Sequence, residues 1–376
     1  MLQGAPSDVL AGACGYRAEI SSWRGSTLLA PSVPVSGGSL TFVASQDVPD
    51  TLVLKVARVV DGFDWLPGTD DETHPLACMG QELVVRFVVT SALTGIEYVT
   101  VRDRLQIQDV GELADGVVTV TASGILQIVA DDMLPTATVP RVDGTLFSEF
   151  RRLLPSGVGV AIDPSLVDRA CPQSLAWSED RLAAQQSIAD ALPALLRSDA
   201  SGQVVLKAPL ADVPIPIITI SDGEVSPTNG YPVMVGKSRK QTRSSVYNSW
   251  VARGTSTDDP TRPPVFAQAD QTSGPFAVDP EGFRTRRAFY ASPLLTTEAQ
   301  CLSAAQTRLR NGLRASAVVP IEMAPDPRLQ IDDAVLVRAD ATEGGAWGFE
   351  VAGYLVGIEL PLTIDDGAMR VDVGVG

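Results

Sequence analysis

Adjacent carboxylates are the side chains that most readily suggest chemistry in this sequence. A glycosidase needs two carboxylates that face each other across a cleft, but neighbouring acids usually point apart and Asp is common in turns. We therefore interpret the acidic runs as solvated turns, and the loops at Asp61–Asp64 and Asp365–Gly367 as too short for a calcium site. The acidic runs are Asp70-Asp71-Glu72, Asp131-Asp132, Asp258-Asp259, Asp332-Asp333 and Asp365-Asp366.

The sequence does not contain the usual motifs of catalytic nucleophiles or of bound cofactors. His74 is the single histidine, which argues against a histidine-ligated metal and against catalytic groups that need a second histidine. The segments around Ser123 and Ser156 do not form GxSxG, and neither GxGxxG nor GxxxxGK[ST] occurs. The sequence therefore assigns no catalytic, cofactor-binding or metal-binding residue, and it predicts a protein that is not an enzyme.

The cysteines and tryptophans are scattered along the chain. No two cysteines form a CxxC or zinc-ribbon pattern, so we expect free thiols in a reducing cytoplasm. Isolated tryptophans more often serve as core or loop anchors than as a carbohydrate platform, which stays the alternative. The residues concerned are Cys14, Cys78, Cys171 and Cys301, and Trp65, Trp177, Trp250 and Trp347.

The charge balance excludes general nucleic-acid binding. The chain has 45 acidic and 29 basic residues, a formal net charge of −16, whereas DNA binding depends on neutralising phosphates with Lys and Arg. Such a protein is suited to line a passage through which DNA slides without adhering. The local basic runs are expected to be solvated or paired with another subunit, with phosphate contact as the alternative: Lys237, Arg239, Lys240 and Arg243, and Arg284, Arg286 and Arg287.

Composition and patterning favour a mainly β protein. Apolar residues make up 45% of the chain, and Val, Ala, Thr, Gly and Pro are more prominent than aromatics. No signal peptide is evident in Met1–Ile20 and no apolar run is long enough to span a membrane. We therefore expect a protein made in a cytoplasm that stays soluble until it assembles, without membrane insertion.

Alternating apolar residues predict strands at both ends of the chain. In the first third they lie at 51–60, 83–90 and 96–107, with a turn at 91–95. A second turn at Asp115-Gly116 opens a further predicted strand, VVTVTASGILQIV, at 117–129. In the last third they lie at 246–254, 318–323, 334–338 and 349–360, with a final hairpin at Asp365-Asp366-Gly367. Pro209–Thr219 is interpreted as a linker and Thr255–Pro280 as a loop or insertion.

Helical spacing appears at three places, near residues 145–154, 178–197 and 297–311. Thr145 is a candidate N-cap of the first helix, and Ser178 begins the second, which Pro193 must kink or shorten. Thr297 and Gln300 form a capping box for the third helix, whose buried stripe is predicted to be Leu302, Ala305 and Leu309.

The order of these segments resembles the hub and minor tail proteins of long-tailed bacteriophages, in particular those of actinobacterial phages. The central helix and hairpin correspond to SLAWSEDRLAAQQSIADAL and RSDASGQVVLKAP. Upstream, RLQIQDVGELADGVVTVTASGILQIVADDML resembles the exit from a first barrel. Downstream, SVYNSWVARG, YASPLLTTEAQCLSAAQTRLRN and APDPRLQIDDAVLV resemble a second barrel. The resemblance spans roughly residues 8 to 375.

The resemblance implies a mainly β fold with an α+β insertion. It predicts two small tube-like β-barrel domains at 1–135 and 216–376 that flank a helix-containing domain at 136–215. It further implies a homotrimer whose six barrels adapt a sixfold tail tube to a threefold tip. The chain ends near the second barrel at Gly376, so no appended lysozyme, peptidase or fibre domain is expected.

The implied function is that of a structural tail-tip or baseplate hub protein in the virion. Its expected partners are further copies of itself, the tail tube and distal tail proteins, the tape measure protein and other tail-tip proteins, and genomic DNA passes through without specific binding. The alternative is a peripheral carbohydrate-binding or host-adhesion minor tail protein, and a wall-degrading enzyme is a weaker one. A hub requires an acidic or neutral channel, whereas an adhesin requires exposed aromatic clusters and bound calcium.

Overall fold

The structure is a computed structural model, and it describes residues 1–113, 116–223, 232–238, 240–241, 243, 246–254, 265–314, 316–340 and 348–375. Strands dominate these residues, which confirms the predicted mainly β class with an α+β insertion. No helix among the described residues is both long and apolar enough to cross a membrane. Asp115, Arg239, Asp258, Asp259 and Trp347 lie outside the described residues, as do residues 255–264 of the predicted loop or insertion at 255–280. Residues 266–270 of that segment form a strand, so they are not a loop.

The N-terminal β region contains β1 (Cys14–Arg24), β2 (Thr27–Val33), β3 (Gly37–Val43), β4 (Asp50–Ala57), β5 (Val59–Val60), β6 (Phe63–Asp64), β7 (Gln81–Ser91), β8 (Glu97–Leu113) and β9 (Val117–Ser123), preceded by the short helix α1 (Ser7–Leu10). The insertion contains α2 (Ile125–Asp131), α3 (Leu146–Leu153), β10 (Gly159–Ile162), α4 (Arg181–Ala191), β11 (Leu195–Ser198) and β12 (Gln203–Lys207).

The C-terminal region contains β13 (Ile218–Ser221), β14 (Met234–Lys237), β15 (Lys240–Gln241), β16 (Ser249–Gly254), β17 (Phe266–Asp270), β18 (Arg287–Ser292), α5 (Glu298–Arg314), β19 (Ala317–Met323), β20 (Ala334–Ala339), β21 (Phe349–Pro361), a 3₁₀ turn (Ile364–Asp366) and β22 (Met369–Gly374). The strands predicted in the first and last thirds of the chain are therefore confirmed, with boundaries shifted by a few residues.

One large sheet joins the two ends of the chain. Its strand order is β14-β19-β22-β21-β3-β4-β9-β8-β7-β1-β2, with β13 beside β20, β20 beside β21, and β15 beside β19. The N-terminal and C-terminal regions meet where β3 pairs with β21, through partners such as Leu40 and Leu360. Among the described residues this order has two free ends, so the closed barrels that the resemblance implies are not confirmed.

A single apolar core lies under this sheet. It contains residues from both ends of the chain, such as Leu40 and Leu52 from the first strands and Val335 and Leu355 from the last. A second core belongs to the insertion, where Phe150, Ile188 and Val204 pack together. The division into domains at 1–135, 136–215 and 216–376 stays a prediction, and the large sheet runs continuously across the first and third of these regions.

The first and third predicted helices are confirmed, together with their caps. Thr145 accepts a hydrogen bond from the Ser148 amide, and the Ser148 hydroxyl accepts one from the Thr145 amide. Before α5, the Thr297 hydroxyl accepts from the Gln300 amide, and the Gln300 side chain accepts from the Thr297 amide. These side chains satisfy backbone N–H groups that have no partner within the first helical turn.

The second predicted helix is shorter than expected at both ends. Asp180, rather than Ser178, caps α4 by accepting from the Ala183 amide. The helix ends at Ala191, because Pro193 lacks an N–H and its ring obstructs a continuing helix. Leu195, which falls inside the helix predicted near 178–197, instead begins strand β11.

Two further expectations about helices are wrong. The strand predicted after Gly116 ends at Ser123, and residues 125–131 form α2 because Leu126 and Val129, three positions apart, are buried in the insertion core. In α5 the residue Leu302 is 39% exposed, and Cys301, rather than Leu302, is buried beside Ala305. Small residues on that helix face allow the close approach of β16 and β17.

Candidate functional site

A polar sheet face opposite the main core is the most extended candidate surface. Strand β4 shows how the sequence creates it: Leu52, Leu54 and Val56 are buried in the core, while Thr51, Val53 and Lys55 alternate with them. Since successive side chains of a strand point to opposite sides, these alternate residues lie on the other face. The same alternation continues into the neighbouring strands on both sides.

Register places the outward residues of seven strands in one row. The pairs Thr51 with Ser123, Thr41 with Thr51, and Glu359 with Thr41 carry the row from β9 to β21. Arg370 of β22, Glu322 of β19 and Gly236 of β14 continue it. We call this surface the polar face; its row is Ser123, Thr51, Thr41, Glu359, Arg370, Glu322 and Gly236.

The charges on the polar face are held in place by one arginine. Arg370 lies between Glu322, at 3.3 Å from its Nε, and Glu359, at 3.8 Å from Nη1. All three side chains are well exposed, so these contacts orient the groups but add little to stability. In the row itself, two residues are acidic and one is basic: Glu322 and Glu359 against Arg370. The row is therefore net negative.

Small residues give the polar face an open groove. A groove of about 520 Å³ is lined by Gly236, Gly357, Glu322, Arg370 and Asp372, among others. A Cβ at Gly357 would lie 2.9 Å from a carboxylate oxygen of Asp372, so a larger residue there would displace that side chain. The row consists of short hydroxyl side chains, one glycine, two carboxylates and one arginine, which is a lining that repels a polyanion rather than binding it.

A buried ionic junction fixes the insertion against the large sheet. Arg197 of β11 donates from Nε and Nη2 to the two carboxylate oxygens of Asp332, at 2.8 and 3.2 Å. Lys207 approaches the same carboxylate at 3.6 Å. The Ser198 hydroxyl donates to Asp50 at the start of β4. The insertion is thereby attached to both the first and the last β regions.

Arg102 is the most deeply buried cation of this junction. It donates from Nη1 to the carbonyl oxygens of Pro327 and Leu329, and its guanidinium lies 4.3 Å from the centre of the Phe42 ring. Burial lowers the pKa of Arg102 to about 10, although Asp103 and Asp50 act in the opposite direction. Hydrogen bonds to carbonyl oxygens and ring contact replace part of the lost hydration.

Two acids of the junction have raised pKa values. Burial raises the pKa of Asp103 well above its usual range, and the nearby negative charge of Asp50 raises it further. Burial also raises the pKa of Asp50, against the hydrogen bond from Ser198 and the charges of Arg102 and Arg197. The junction therefore becomes less favourable as pH rises and both acids lose their protons.

The comparison with known proteins rests on structures. No family model matches the chain, and no curated protein matches it in sequence. The tail protein from Neisseria meningitidis MC58 is 13% identical, with a TM-score of 0.61 and an alignment that covers 96% of each chain. The 43 kDa tail protein of prophage MuSo2 from Shewanella oneidensis is 13% identical, with a TM-score of 0.59, over 95% of this chain and 98% of that chain.

A third structure gives the same result. The prophage tail protein gp18 from Listeria monocytogenes EGD-e is 11% identical, with a TM-score of 0.52, over 95% of this chain and 94% of that chain. The chain shares the fold of these tail proteins. At such low identity the likeness concerns the path of the chain. What this tail-protein fold does in the present chain depends on its own surfaces.

Within the tail-protein fold, the acidic runs of the sequence have different roles. Asp366 accepts from the Thr363 amide and hydroxyl in a turn, as expected. Asp332 contradicts the solvated-turn interpretation: its side chain is 4% exposed and paired with Arg197, because the insertion folds over it. Asp333 pairs with the N-terminal amine at 2.9 Å. No group of three His, Cys, Asp or Glu side chains suited to a metal ion occurs among the described residues.

The side chains of His74, Trp65 and Trp177 are buried in the protein interior. The Nδ1 atom of His74 accepts from the Leu76 amide, and Nε2 lies 3.0 Å from the Asp64 carbonyl oxygen, to which it donates. Trp177 donates to Glu149 inside the insertion core. Trp65 is also buried. The core or anchor interpretation is therefore confirmed for these two tryptophans.

Residues of both basic runs contact other residues of the same chain. Lys237 pairs with Asp222 at 2.9 Å, and Arg243 donates to the Phe283 carbonyl oxygen. Arg286 lies over the Tyr247 ring. The four cysteines are free, and burial raises the pKa of the Cys171 thiol to about 11.

Sequence reasoning missed both the polar face and the junction. Alternating Thr and Lys in β4 indicated a polar side, but the partners of that side come from distant strands. Arg102 and Asp103 are adjacent charged residues in a strand that also carries Arg104 and Asp109, so the sequence alone did not mark them as buried.

Proposed function

We propose that this chain is a structural subunit of a bacteriophage tail tip or baseplate hub, and not an enzyme. The fold it shares with tail proteins of three bacterial genomes supports a role in a tail, since those proteins are named for that assembly. The proposal includes a homotrimer that adapts a sixfold tail tube to a threefold tip, with the tube, distal tail and tape measure proteins as neighbours.

The polar face is the observation that carries the proposed role in DNA passage. DNA slides through a channel when the wall neither binds phosphate nor presents bulky apolar side chains. The row from Ser123 to Gly236 meets both requirements, because Arg370 is held between Glu322 and Glu359 and acids outnumber bases. In the proposed assembly this face lines the channel and the apolar core lies behind it.

The arrangement of regions supports the adaptor role. β strands from the two ends of the chain flank an insertion that the ionic junction fixes in position. Two β regions per chain and three chains give six β regions, which is the number that a sixfold tube requires. Under this proposal the three parts, 1–135, 136–215 and 216–376, have separate roles in the ring.

Charge reversal on the polar face tests the channel. Particles carrying Glu322→Lys and Glu359→Lys together are expected to assemble but to release DNA more slowly, with a delay that shrinks as salt is raised. A matched control is Glu72→Lys with Asp212→Lys, two exposed acids outside the large sheet that contact Arg24 and Arg310. Normal release from the Glu322/Glu359 variant, or an equal delay in the control, contradicts this role.

Labelling of intact particles tests the location. An antibody against the purified chain is expected to mark one end of the tail in electron micrographs. Label along the tail shaft, on the capsid, or in lysate fractions free of particles contradicts the proposed function.

A further inference from the structure

Among the described residues, the outer side of the small sheet β17-β16-β18 is an exposed aromatic surface. The inner side packs against α5 through Ala252, Ala267 and Ala269. Register places Phe266, Val251 and Phe289 on the opposite side, where Val251 lies between β17 and β18. Both phenylalanines are 64% exposed. We call this surface the aromatic face.

Arginines accompany the two phenylalanines. Arg253 is the register partner of Phe266. Arg287 lies two residues before Phe289 on β18, so both side chains point to the same side of the sheet. Asp270 is the acid on the same side, and it accepts hydrogen bonds from Gln268. Exposed Phe flanked by Arg is the composition that marks the centre of protein interfaces.

An acidic and aliphatic surface lies elsewhere on the chain. Residues 131–143 expose Met133, Val139 and Val142, at 55%, 65% and 83%. This segment carries Asp131, Asp132 and Asp143 against one base, Arg141, and its Leu134 amide bonds to the carbonyl oxygen of the exposed Glu179. We call residues 131–143 the acidic segment. Its charge and its apolar groups complement those of the aromatic face.

The two surfaces belong to opposite ends of α4. At the N-terminal end, Arg181 lies 3.6 Å from Asp132 of the acidic segment. At the C-terminal end, Asp190 pairs with Arg308 of α5, whose guanidinium lies 3.7 Å over the Tyr290 ring on the inner side of the small sheet. The aromatic face points away from α5, so a single chain does not bring its two surfaces together.

We propose that the aromatic face of one copy of this chain binds the acidic segment of a second copy. This inference rests on the proposed function and specifies its contact between subunits. Two different surfaces that meet head to tail form a heterologous interface, which closes into a ring when the rotation between copies is right. Burial of Phe266 and Phe289 supplies the apolar part, and the Asp–Arg pairs fix the orientation.

Charge reversal and its rescue test the contact. In sedimentation experiments on the full chain, Arg253→Glu with Arg287→Glu is expected to weaken self-association at least about tenfold. Asp131→Arg with Asp132→Arg is expected to do the same, and an equimolar mixture of the two variants is expected to form mixed pairs that neither forms alone. Arg17→Glu with Arg24→Glu is the matched control on β1, and its self-association is expected to match that of the unmodified chain.

Cross-linking tests the same contact without reversing any charge. A Gln268→Cys chain mixed with a Thr136→Cys chain, both carrying Cys14→Ser and Cys78→Ser, is expected to give a mixed dimer with a short bifunctional thiol reagent. Either chain alone is expected to give none. Circular dichroism of each variant checks that the fold is retained.

The outcomes separate this inference from the proposed function. Self-association unchanged by both reversals, or the absence of a mixed cross-link, overturns the contact, while antibody label at the tail end still supports the tail role. Retention of a cell-wall polysaccharide or of single-stranded DNA by the unmodified chain, lost on Phe266→Ser, also overturns it, because another occupant then takes the aromatic face. Mixed cross-linking together with rescue establishes it.

Discussion

Replacing Arg197 by methionine removes a buried ion pair between the insertion and the last β region. Arg197 donates two hydrogen bonds to Asp332, whose side chain is 4% exposed. The substitution keeps much of the aliphatic stem but leaves a buried carboxylate without its strongest partner. Lys207, at 3.6 Å, remains as a weaker one.

The expected loss is about 3 kcal/mol in the free energy of unfolding. Removing one partner of a buried ion pair costs roughly 3–5 kcal/mol, and Lys207 places this case at the lower end. Adding Asp332→Asn to Arg197→Met is expected to recover most of the loss, since the uncompensated charge disappears. Asn also tolerates the positive φ of 71° at that position.

Urea unfolding followed by tryptophan fluorescence measures the effect, because Trp177 is buried within the insertion. Arg17→Met is the matched control: Arg17 also has two carboxylate contacts, each at 3.0 Å, but its side chain is 48% exposed. The control is expected to cost less than about 1 kcal/mol. Equal losses for Arg197→Met and Arg17→Met, or no recovery in the double variant, would refute the reasoning about burial.

Three further predictions follow from the junction, a cap and a glycine. Asp103→Asn is expected to stabilise the chain at pH 8 and to lose that advantage toward pH 4. Because the pKa of Asp103 is raised in the folded chain, the acid contributes stability at low pH, and that stability falls by up to about 1.4 kcal/mol per pH unit as pH rises through the folded pKa. Urea unfolding midpoints across this pH range measure the effect, and a gain in stability that does not depend on pH would contradict the prediction. Thr145→Ala is expected to cost about 1 kcal/mol by removing the cap of α3, measured by thermal unfolding, whereas a neutral result would mean that the cap is dispensable. Gly38→Ala is expected to cost at least about 2 kcal/mol, because φ is 127° and the new Cβ would lie 2.0 Å from the Val53 carbonyl oxygen; unchanged stability would contradict the described pairing of β3 with β4.

The sequence predicted those helix ends that depend only on residues close to them in the chain. The capping residues Thr145, Thr297 and Gln300 indicated two helix starts, because the side chains that satisfy a helix terminus are adjacent in sequence. Pro193 indicated that the second helix must be altered but not where it would end. Residues 125–131 were misassigned because burial of Leu126 and Val129 in the insertion core outweighs a weak local preference.

The pairing of distant strands could not be predicted from the sequence. β3 and β21 come from opposite ends of the chain, and nothing within either strand specifies its neighbour. The polar face depends on this pairing, so its row of residues becomes visible only in the folded chain. The burial of Asp332 was hidden for the same reason, because Arg197 reaches it from the insertion.

The central claim is tested most directly by a cryo-electron microscopy reconstruction of the tail tip with this chain located in it. The account predicts three copies around the tail axis, with Glu322, Glu359 and Arg370 of each copy facing the channel. A chain located in a peripheral spike, or a channel lined by a different face with the polar face directed outward, would contradict the account.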